Sequence, residues 1–272
     1  MSVSLETLAR TLADRKGLYF ASDLFLKDGR PTPFFVNTGV FKTGASIAEL
    51  GRLYAQRMVE LSLNRGDQRV DVIFGPSYKA SAIAQATAMM LEQDYSVDLR
   101  FEYDRKEAKV HGDASGKEKM FVMDAFFNYA RILIVDDVAS TAETKYEAVK
   151  KIQAVEKRTG KRLPIIGLLI GVDREQTTAV YDREVPTGLS DKALAEWKRA
   201  HVVLDARGED ALSAFTLKTG IPVYSIGGIR AIVDWLHKQN HPVFIDGRRQ
   251  PINWERMGQF NQYMAKYGVE RK

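Results

Sequence analysis

Short apolar runs alternate along most of the chain with segments of helical spacing. The runs VDVIFGP (70–76), RILIVDD (131–137) and LPIIGLLIGVDR (163–174) have the length and apolar content of buried strands. Further strands are predicted at VDLRFEY (97–103), HVVL (201–204) and IPVYSI (221–226), and helices at 80–91, 142–157 and 229–237. Continuous apolar strands that alternate with helices predict a parallel sheet covered by helices on both faces.

The N-terminal part of the chain is mixed in character. A helix is predicted at 4–16, an extended piece with turn residues at 24–37, and a second helix at 45–61. Residues at helical spacing define one face of the second helix: Ile47, Leu50, Tyr54 and Leu61. No repeat or flexible linker divides the 272 residues, which predicts one enlarged domain or one domain with a small accessory lobe.

The composition limits the cellular compartment and the classes of binding partner that are expected for the chain. The chain has no cysteine, which excludes disulfides and suits a reducing compartment. No run approaches the roughly 20 apolar residues that cross a bilayer, and the N-terminus lacks the apolar stretch of a secretory signal. We therefore expect a cytoplasmic protein with no membrane partner. Its formal charge of +5 is interspersed with acidic residues, which favours a local anion pocket over nucleic-acid binding.

The segment ILIVDDVASTAET (132–144) gives the clearest indication of a ligand-binding site. A strand ends in two carboxylates, Asp136 and Asp137, and a loop of small hydroxylated residues leads into a helix. Backbone amides at such a helix start can hold a phosphate, and adjacent carboxylates can accept hydrogen bonds from the two hydroxyls of a ribose. Together these features describe a sugar-phosphate site. The alternative is a helix start whose acidic and Ser/Thr residues only stabilise it.

Three other segments offer cations for such a ligand. YDRKEAKVHGDASGKEK (103–119) has the composition of a mobile lid that brings positive charge onto a polyphosphate, or of an ordinary solvated loop. FGPSYKASAIA (74–84) is another strand-to-helix junction, with Lys79 in its turn. FLKDGRPTPFFVNTG (25–39) places Lys27 and Arg30 beside apolar residues against which a flat base can lie; the alternative is a hairpin anchored by core aromatics.

In this order, and over nearly the whole chain, the four segments resemble orotate phosphoribosyltransferases. The most specific matches are FGPSYK, RKEAKVHG and IVDDV. The resemblance implies the type I phosphoribosyltransferase fold, an α/β architecture with a parallel five-stranded core sheet flanked by helices. A single domain would span residues 1–272, with a small hood mainly from about 1–40 and a core from about 41–272.

The resemblance also implies the substrates and the assembly. The donor would be 5-phosphoribosyl-1-pyrophosphate, with Mg²⁺ held mainly by its pyrophosphate rather than by protein ligands. The acceptor would be orotate, and the products orotidine 5′-phosphate and pyrophosphate. A homodimer is implied, in which the lid of one chain reaches into the site of its partner.

Roles for individual residues follow from the resemblance. Asp136 and Asp137 would hold the ribose hydroxyls, and Lys109 and His111 would join them in catalysis. The implied substrate-binding residues are Lys27, Phe35, Val36, Tyr78, Lys79, Arg105, Lys106, Lys109, His111, Asp136, Asp137, Val138, Ala139, Ser140, Thr141, Ala142, Glu143, Thr144 and Arg174. Within this set, residues 140–144 would wrap the 5-phosphate. The residues that would meet the pyrophosphate, the last few from the partner chain, are Lys79, Arg105, Lys106, Lys109 and His111, and those that would frame orotate are Lys27, Phe35, Val36, Ser140 and Arg174.

The chain departs from the family pattern at three places. Ala142 stands where the phosphate loop usually has glycine, which an alanine replaces without strain only at negative φ. Glu143 replaces a small residue and must point away from the phosphate. Residues 182–200 look like an insertion without an obvious role. Two alternatives stay open: an enzyme of this fold that uses another base, and a binding or regulatory protein that kept the ribose-phosphate pocket but lost turnover.

Overall fold

The computed structural model describes residues 3–109, 119–139 and 142–270, without the side chains of residues 3, 68, 106–109 and 119. The strands described are β1 (Leu18–Phe25), β2 (Pro31–Val36), β3 (Val72–Phe74), β4 (Arg100–Glu102), β5 (Asp104–Lys109), β6 (Lys119–Phe121), β7 (Ile132–Ala139), β8 (Ile165–Asp173), β9 (Val223–Gly228), β10 (Val243–Ile245) and β11 (Arg248–Gln250). The α-helices described are α1 (Val3–Asp14), α2 (Gly44–Glu60), α3 (Lys79–Tyr95), α4 (Glu143–Thr159), α5 (Asp191–His201), α6 (Ala211–Thr219), α7 (Ile229–Lys238) and α8 (Trp254–Tyr267).

The core is a five-stranded sheet in the order β4-β3-β7-β8-β9, with every neighbouring pair parallel. This confirms the predicted α/β architecture. Along β7, Ile132 and Ile134 enter one apolar cluster while Leu133 and Val135 enter another, as the two-residue period of a strand requires. Because both faces of the sheet are buried, the central strands are apolar throughout. Their carboxyl ends share one edge, where ligands bind in such folds.

The hood is a four-stranded sheet built from both ends of the chain, in the order β11-β10-β1-β2. β1 pairs antiparallel with β2 and parallel with β10. Helix α8 packs on β2, where the ring of Phe34 lies 5.4 Å from that of Phe260. Helix α1, which the prediction assigned to the hood, packs mainly against α7 and β9 of the core and also contacts β1 and β10 of the hood. The C-terminal strands therefore supply half of a lobe that was expected mainly from residues 1–40.

A buried carboxylate anchors the base of the predicted lid. Glu102, at the end of β4, is fully buried and accepts hydrogen bonds from four backbone N–H groups, which belong to Tyr103, Val122, Met123 and Ala125, at 2.8–3.1 Å. Strands β5 and β6 form a two-stranded ribbon that begins at this point. Because β4 is an edge strand of the core sheet, the ribbon begins at that edge.

The strand predicted at 201–204 is wrong. His201 ends helix α5, and Val202 makes only an isolated bridge with Tyr181. The two valines favour extended backbone, but the only pairing they make is local, with Val203 N donating to Val180 O at 2.9 Å. Intrinsic β-propensity alone therefore predicts strands poorly, because a strand also needs a neighbouring strand to pair with. No helix within the described ranges has the length and apolar content needed to cross a bilayer.

Candidate active site

A cleft of about 600 Å³ lies between the carboxyl ends of β7 and β8 and the turn that joins β1 to β2. Nine residues of the predicted substrate-binding set line it: Lys27, Phe35, Val36, Lys79, Asp137, Val138, Ala142, Glu143 and Arg174. These residues come from four separate segments of the chain. The structure therefore brings the cation-bearing hood turn, the Lys79 junction, the acidic strand end and Arg174 to one cavity.

Asp137 is the acid that faces this cleft. Its carboxylate accepts a hydrogen bond from Thr38 Oγ1 at 2.5 Å and contacts Lys79 Nζ at 3.3 Å, and it also accepts from Val138 N at 2.8 Å. Burial opposes ionisation, but the Thr38 hydrogen bond and the Lys79 charge outweigh it, so the pKa of Asp137 lies below its ordinary value. Asp137 is therefore a charged acceptor at neutral pH.

Asp136 has a different environment. Its Oδ2 lies 2.5 Å from Nζ of Lys145, its Oδ1 accepts from Asp137 N at 2.9 Å, and it is not among the residues lining the cleft. Burial raises the pKa of Asp136 and the Asp137 charge adds to this, while the Lys145 ammonium opposes both. The two adjacent carboxyls thus have pKa values shifted in opposite directions, a common feature of sites that divide roles between neighbouring acids.

The predicted phosphate loop shows no backbone strain at Ala142, where glycine was expected. Ala142 has φ −97°, a negative value that alanine adopts freely. Glu143 is exposed at the mouth of the cleft and opens α4. Ser140 and Thr141, both predicted phosphate ligands, lie outside the described residues. Ala142 and Glu143, at the start of α4, line the cleft, and the first amides of a helix suit an anion.

Arg174 is the most unusual cation of the site. It is 7% exposed, and its Nε and Nη2 have no hydrogen-bond partner among the described residues. The guanidinium lies 5.4 Å over the ring of Phe34. Burial lowers the pKa of Arg174. A buried guanidinium with unused donors is suited to a planar carboxylate.

Three further residues of the predicted substrate-binding set, and Arg30, lie outside the cleft. Tyr78 is 70% exposed and Thr144 is exposed, and neither lines the cleft. Ala139 is buried in the core cluster beneath the loop. Arg30 is buried and ion-paired with Asp28 at 2.6 Å, so it braces the hood turn and does not face the cleft.

The lid residues are described only in part. Lys106 and Lys109 lie on β5, but their side chains are outside the description, and His111 lies outside the described residues altogether. Arg105 is half-buried, and its Nε has no partner among the described residues. The lid assignments therefore stay predictions.

Sequence reasoning missed several residues of the site. Lys145 had a recognisable signal, because it shares helical spacing with the buried Ala148, Val149 and Ile152 of α4. Thr38 and the cleft residues Tyr181 and Lys198 had none, since only the tertiary fold brings them to Asp137 or the cleft.

Comparison with known proteins identifies the family. The chain matches no family model. Orotate phosphoribosyltransferases of Nitrosococcus oceani and Cellvibrio japonicus are 30% and 31% identical to it, each over 250 residues, covering 92% and 91% of this chain and 89% and 90% of the relatives. A crystal structure of orotate phosphoribosyltransferase from Francisella tularensis shares the fold, with a TM-score of 0.65 at 23% identity over 95% of this chain and 94% of that one. This chain belongs to the orotate phosphoribosyltransferase family.

Proposed function

We propose that the protein transfers the 5-phosphoribosyl group of 5-phosphoribosyl-1-pyrophosphate to orotate, yielding orotidine 5′-phosphate and pyrophosphate in pyrimidine biosynthesis. One observation carries the proposal for a chain of this family. A charged Asp137 and a buried Arg174 with two unused nitrogens line the same cleft. The first suits a ribose diol and the second a carboxylated base. We place the reaction in the cytoplasm, in keeping with a chain that lacks cysteine.

The acceptor side of the cleft combines charge with apolar surface. Arg174 and Lys27 supply donors for the carboxylate of orotate, and neither has an ion-pair partner among the described residues. Phe35 and Val36 give the flat ring an apolar wall. A site that must pair its buried donors discriminates strongly against analogues that lack the matching acceptor. Orotate should therefore be preferred to uncharged pyrimidines.

The donor side lies along the end of β7 and the start of α4. Asp137 accepts hydrogen bonds from the ribose hydroxyls, and Asp136 supports it through the bond from Asp137 N to Asp136 Oδ1. Residues 142–144 lie at the start of α4, where backbone amides can hold the 5-phosphate together with the predicted ligands Ser140 and Thr141. The negative φ of Ala142 is compatible with this role.

Charge develops at two places as the reaction proceeds. The bond from C1 of the ribose to pyrophosphate breaks, and a ring nitrogen of orotate forms the new bond to C1. Positive charge on the ribose ring is stabilised by the ionised Asp137, and negative charge on the leaving oxygens by Lys79 and the lid cations. No protein nucleophile is required. Closure of the lid also keeps water from the donor.

We propose Mg²⁺ as the cofactor. The ion would arrive on the donor's pyrophosphate, and Asp137 offers a carboxylate at the cleft, the ligand type that Mg²⁺ takes alongside substrate phosphates. Asp136 and Asp137 would orient hydroxyls and water around the ion, since carboxylate oxygens accept hydrogen bonds, as they do here from Thr38, Asp137 N and Val138 N. When bound, Mg²⁺ neutralises charge on the departing pyrophosphate.

A panel of bases tests the acceptor. Donor and Mg²⁺ are incubated with orotate, uracil or hypoxanthine, and the nucleotide products are separated by chromatography. We expect orotidine 5′-phosphate from orotate and little product from the other bases. A product from another base alone would reassign the acceptor, and no product from any base would favour a binding protein.

We also propose a homodimer in which each lid serves the partner's site. The β5–β6 ribbon leaves from the sheet edge at β4, two strands away from β7, which supports a reach beyond its own cleft. Mixing Lys109→Ala chains with Asp137→Asn chains tests this arrangement, since heterodimers regain one intact site. Recovery of activity to about a quarter of the wild-type value is expected for random exchange into shared sites, and no recovery would place the lid over its own cleft.

A further inference from the structure

The inserted segment, residues 182–200, is folded back on itself. Helix α5 begins after Ser190, whose Oγ accepts from Ala193 N at 3.3 Å. Its last residue returns to the start of the segment: Asp182 N donates to His201 O at 3.0 Å, and the His201 ring nitrogen Nδ1 lies 2.9 Å from an Asp182 oxygen. The ring of Trp197 packs 4.5 Å from that of His201. The segment is therefore a fixed unit rather than a loose excursion.

The end of α5, and Tyr181 just before the inserted segment, pack against the turn between β1 and β2 and its flanks. Tyr181 donates its hydroxyl hydrogen to Asp28 O at 2.9 Å, and the guanidinium of Arg199 lies 4.5 Å over the ring of Phe25. Gly29, at φ +90°, is so close that a Cβ there would lie 2.5 Å from Lys198 O. Only glycine allows this approach. The contact holds Lys198 next to the turn that carries Lys27.

The same packing places the inserted segment in the wall of the cleft. Tyr181, Val185 and Lys198 line the cavity together with Lys27 and Arg174. Lys198 is half-buried, and its ammonium has no ion pair or hydrogen bond with any described residue. Burial raises the pKa of Tyr181 to about 12, so its hydroxyl stays neutral and continues to bind the hood turn. An ammonium without a partner among the described residues, on a residue that lines the acceptor side of the cleft, is suited to an anionic ligand group.

We infer that the insertion closes the acceptor pocket and that Lys198 is a third cation for the carboxylate of the acceptor base. The inference rests on the proposed function, because it needs a carboxylated base in the cleft. Lys198 then determines specificity: it favours a pyrimidine with a carboxylate over the same ring without one. A hydrogen bond to a charged group of this kind corresponds to about a tenfold difference in affinity.

Two nucleotides isolate this effect from the rest of the site. Orotidine 5′-phosphate and uridine 5′-phosphate share the ribose, the phosphate and the pyrimidine ring and differ in the carboxylate. Their affinities are measured by calorimetry for the wild type, Lys198→Ala, Lys198→Arg and the control Lys192→Ala, which changes an exposed lysine of the same helix outside the cleft. Thermal unfolding of each variant confirms that it is folded.

We expect Lys198→Ala to bind orotidine 5′-phosphate about tenfold more weakly and uridine 5′-phosphate as the wild type does. Lys198→Arg should retain most of the preference, and Lys192→Ala all of it. Equal losses for both nucleotides, or no loss for either, would overturn the assignment of Lys198. Failure of the proposed function has a different signature, since the wild type would then show no preference for the carboxylated nucleotide.

Discussion

The Nζ atom of Lys145 lies 2.5 Å from Oδ2 of Asp136, and both side chains are largely buried. Lys145 also contacts Thr144 Oγ1 at 3.2 Å, at the start of α4. This ion pair ties the helix that follows the phosphate loop to the strand end that carries the two acids. It supplies the countercharge that lets Asp136 ionise in a buried position.

Replacing Lys145 with Met should destabilise the protein and shift the acid limb of its pH–rate profile. Without the ammonium, the already raised pKa of Asp136 rises further. When the pKa of a carboxyl group is raised in the folded state, its contribution to stability is most favourable below its unfolded-state pKa. That contribution is lost as pH rises through the folded-state pKa. We therefore expect a deficit of about 3 kcal/mol near neutral pH that shrinks in acid, and an acid limb of the rate profile displaced to higher pH.

Denaturant unfolding and pH–rate profiles of Lys145→Met measure both effects. Lys150→Met, on the exposed side of the same helix, is the matched control and should behave as the wild type. If the stability deficit is the same at every pH and the acid limb of the rate profile stays at its wild-type position, Lys145 does not control the pKa of Asp136.

Replacing Asp137 with Asn should remove most of the turnover and leave the fold intact. The change keeps the shape of the side chain but removes the negative charge that faces the developing charge on the ribose. We expect kcat to fall about a hundredfold, measured with saturating donor. Glu147→Gln, an exposed change on α4, serves as the control. Normal turnover of Asp137→Asn would remove this carboxylate from the mechanism.

Replacing Arg174 with Met should separate function from stability. The buried guanidinium has unused donors, which costs folding free energy in the empty protein. An apolar side chain of similar length should therefore raise the thermal midpoint by about 2–4 °C, while kcat/KM for orotate falls at least about a hundredfold.

Calorimetric unfolding and steady-state kinetics of Arg174→Met check the two halves of this prediction. The exposed Arg183→Met should change neither quantity. A less stable variant with full orotate turnover would mean that Arg174 is a structural residue.

The ion pair between Asp71 and Arg131 should make the stability depend on acid pH. Hydrogen bonds from Arg131, at 2.8–3.1 Å, lower the pKa of Asp71 against a smaller opposing effect of burial. A lowered pKa contributes stability above the unfolded value, near 3.9, that is lost as pH falls through the folded value. Asp71→Asn should thus be less stable than the wild type at neutral pH, and the gap should narrow toward pH 3.

Thermal unfolding across this pH range measures the gap. The exposed Asp98→Asn provides the comparison and should follow the wild type throughout. A gap that persists unchanged in acid would mean that the pair stabilises the strands through something other than the charge of Asp71.

The sequence predicted the core better than the parts joined by distant contacts. Strands β7 and β8 and helix α4 were readable because their apolar spacing reports burial within one segment. The strands of residues 243–250 were not anticipated in the hood, because pairing between β10 and β1 joins residues more than 200 positions apart. The valines after His201 suggested a strand, since their propensity carries no information about a missing neighbour.

The residues of the site likewise divide into those that could be predicted from the sequence and those that could not. Arg174 was implied by the family resemblance. Asp137 and Lys79 were predicted because each lies at the end of an apolar strand or in the turn after it, and the carboxyl ends of parallel strands meet at one edge. Lys198 was not, because only the packing of Gly29 against α5 brings an inserted helix to the cleft. The negative φ of Ala142 is likewise a property of the folded backbone, which the residue type leaves open.

The proposed transfer is tested most directly by following orotate and pyrophosphate together in one reaction. Purified protein is supplied with the donor, Mg²⁺ and orotate, and the ultraviolet absorbance of orotate is recorded while released pyrophosphate is assayed. Orotate should disappear and pyrophosphate should appear at equal rates. If the orotate absorbance stays flat and the donor remains intact, the protein does not catalyse this transfer.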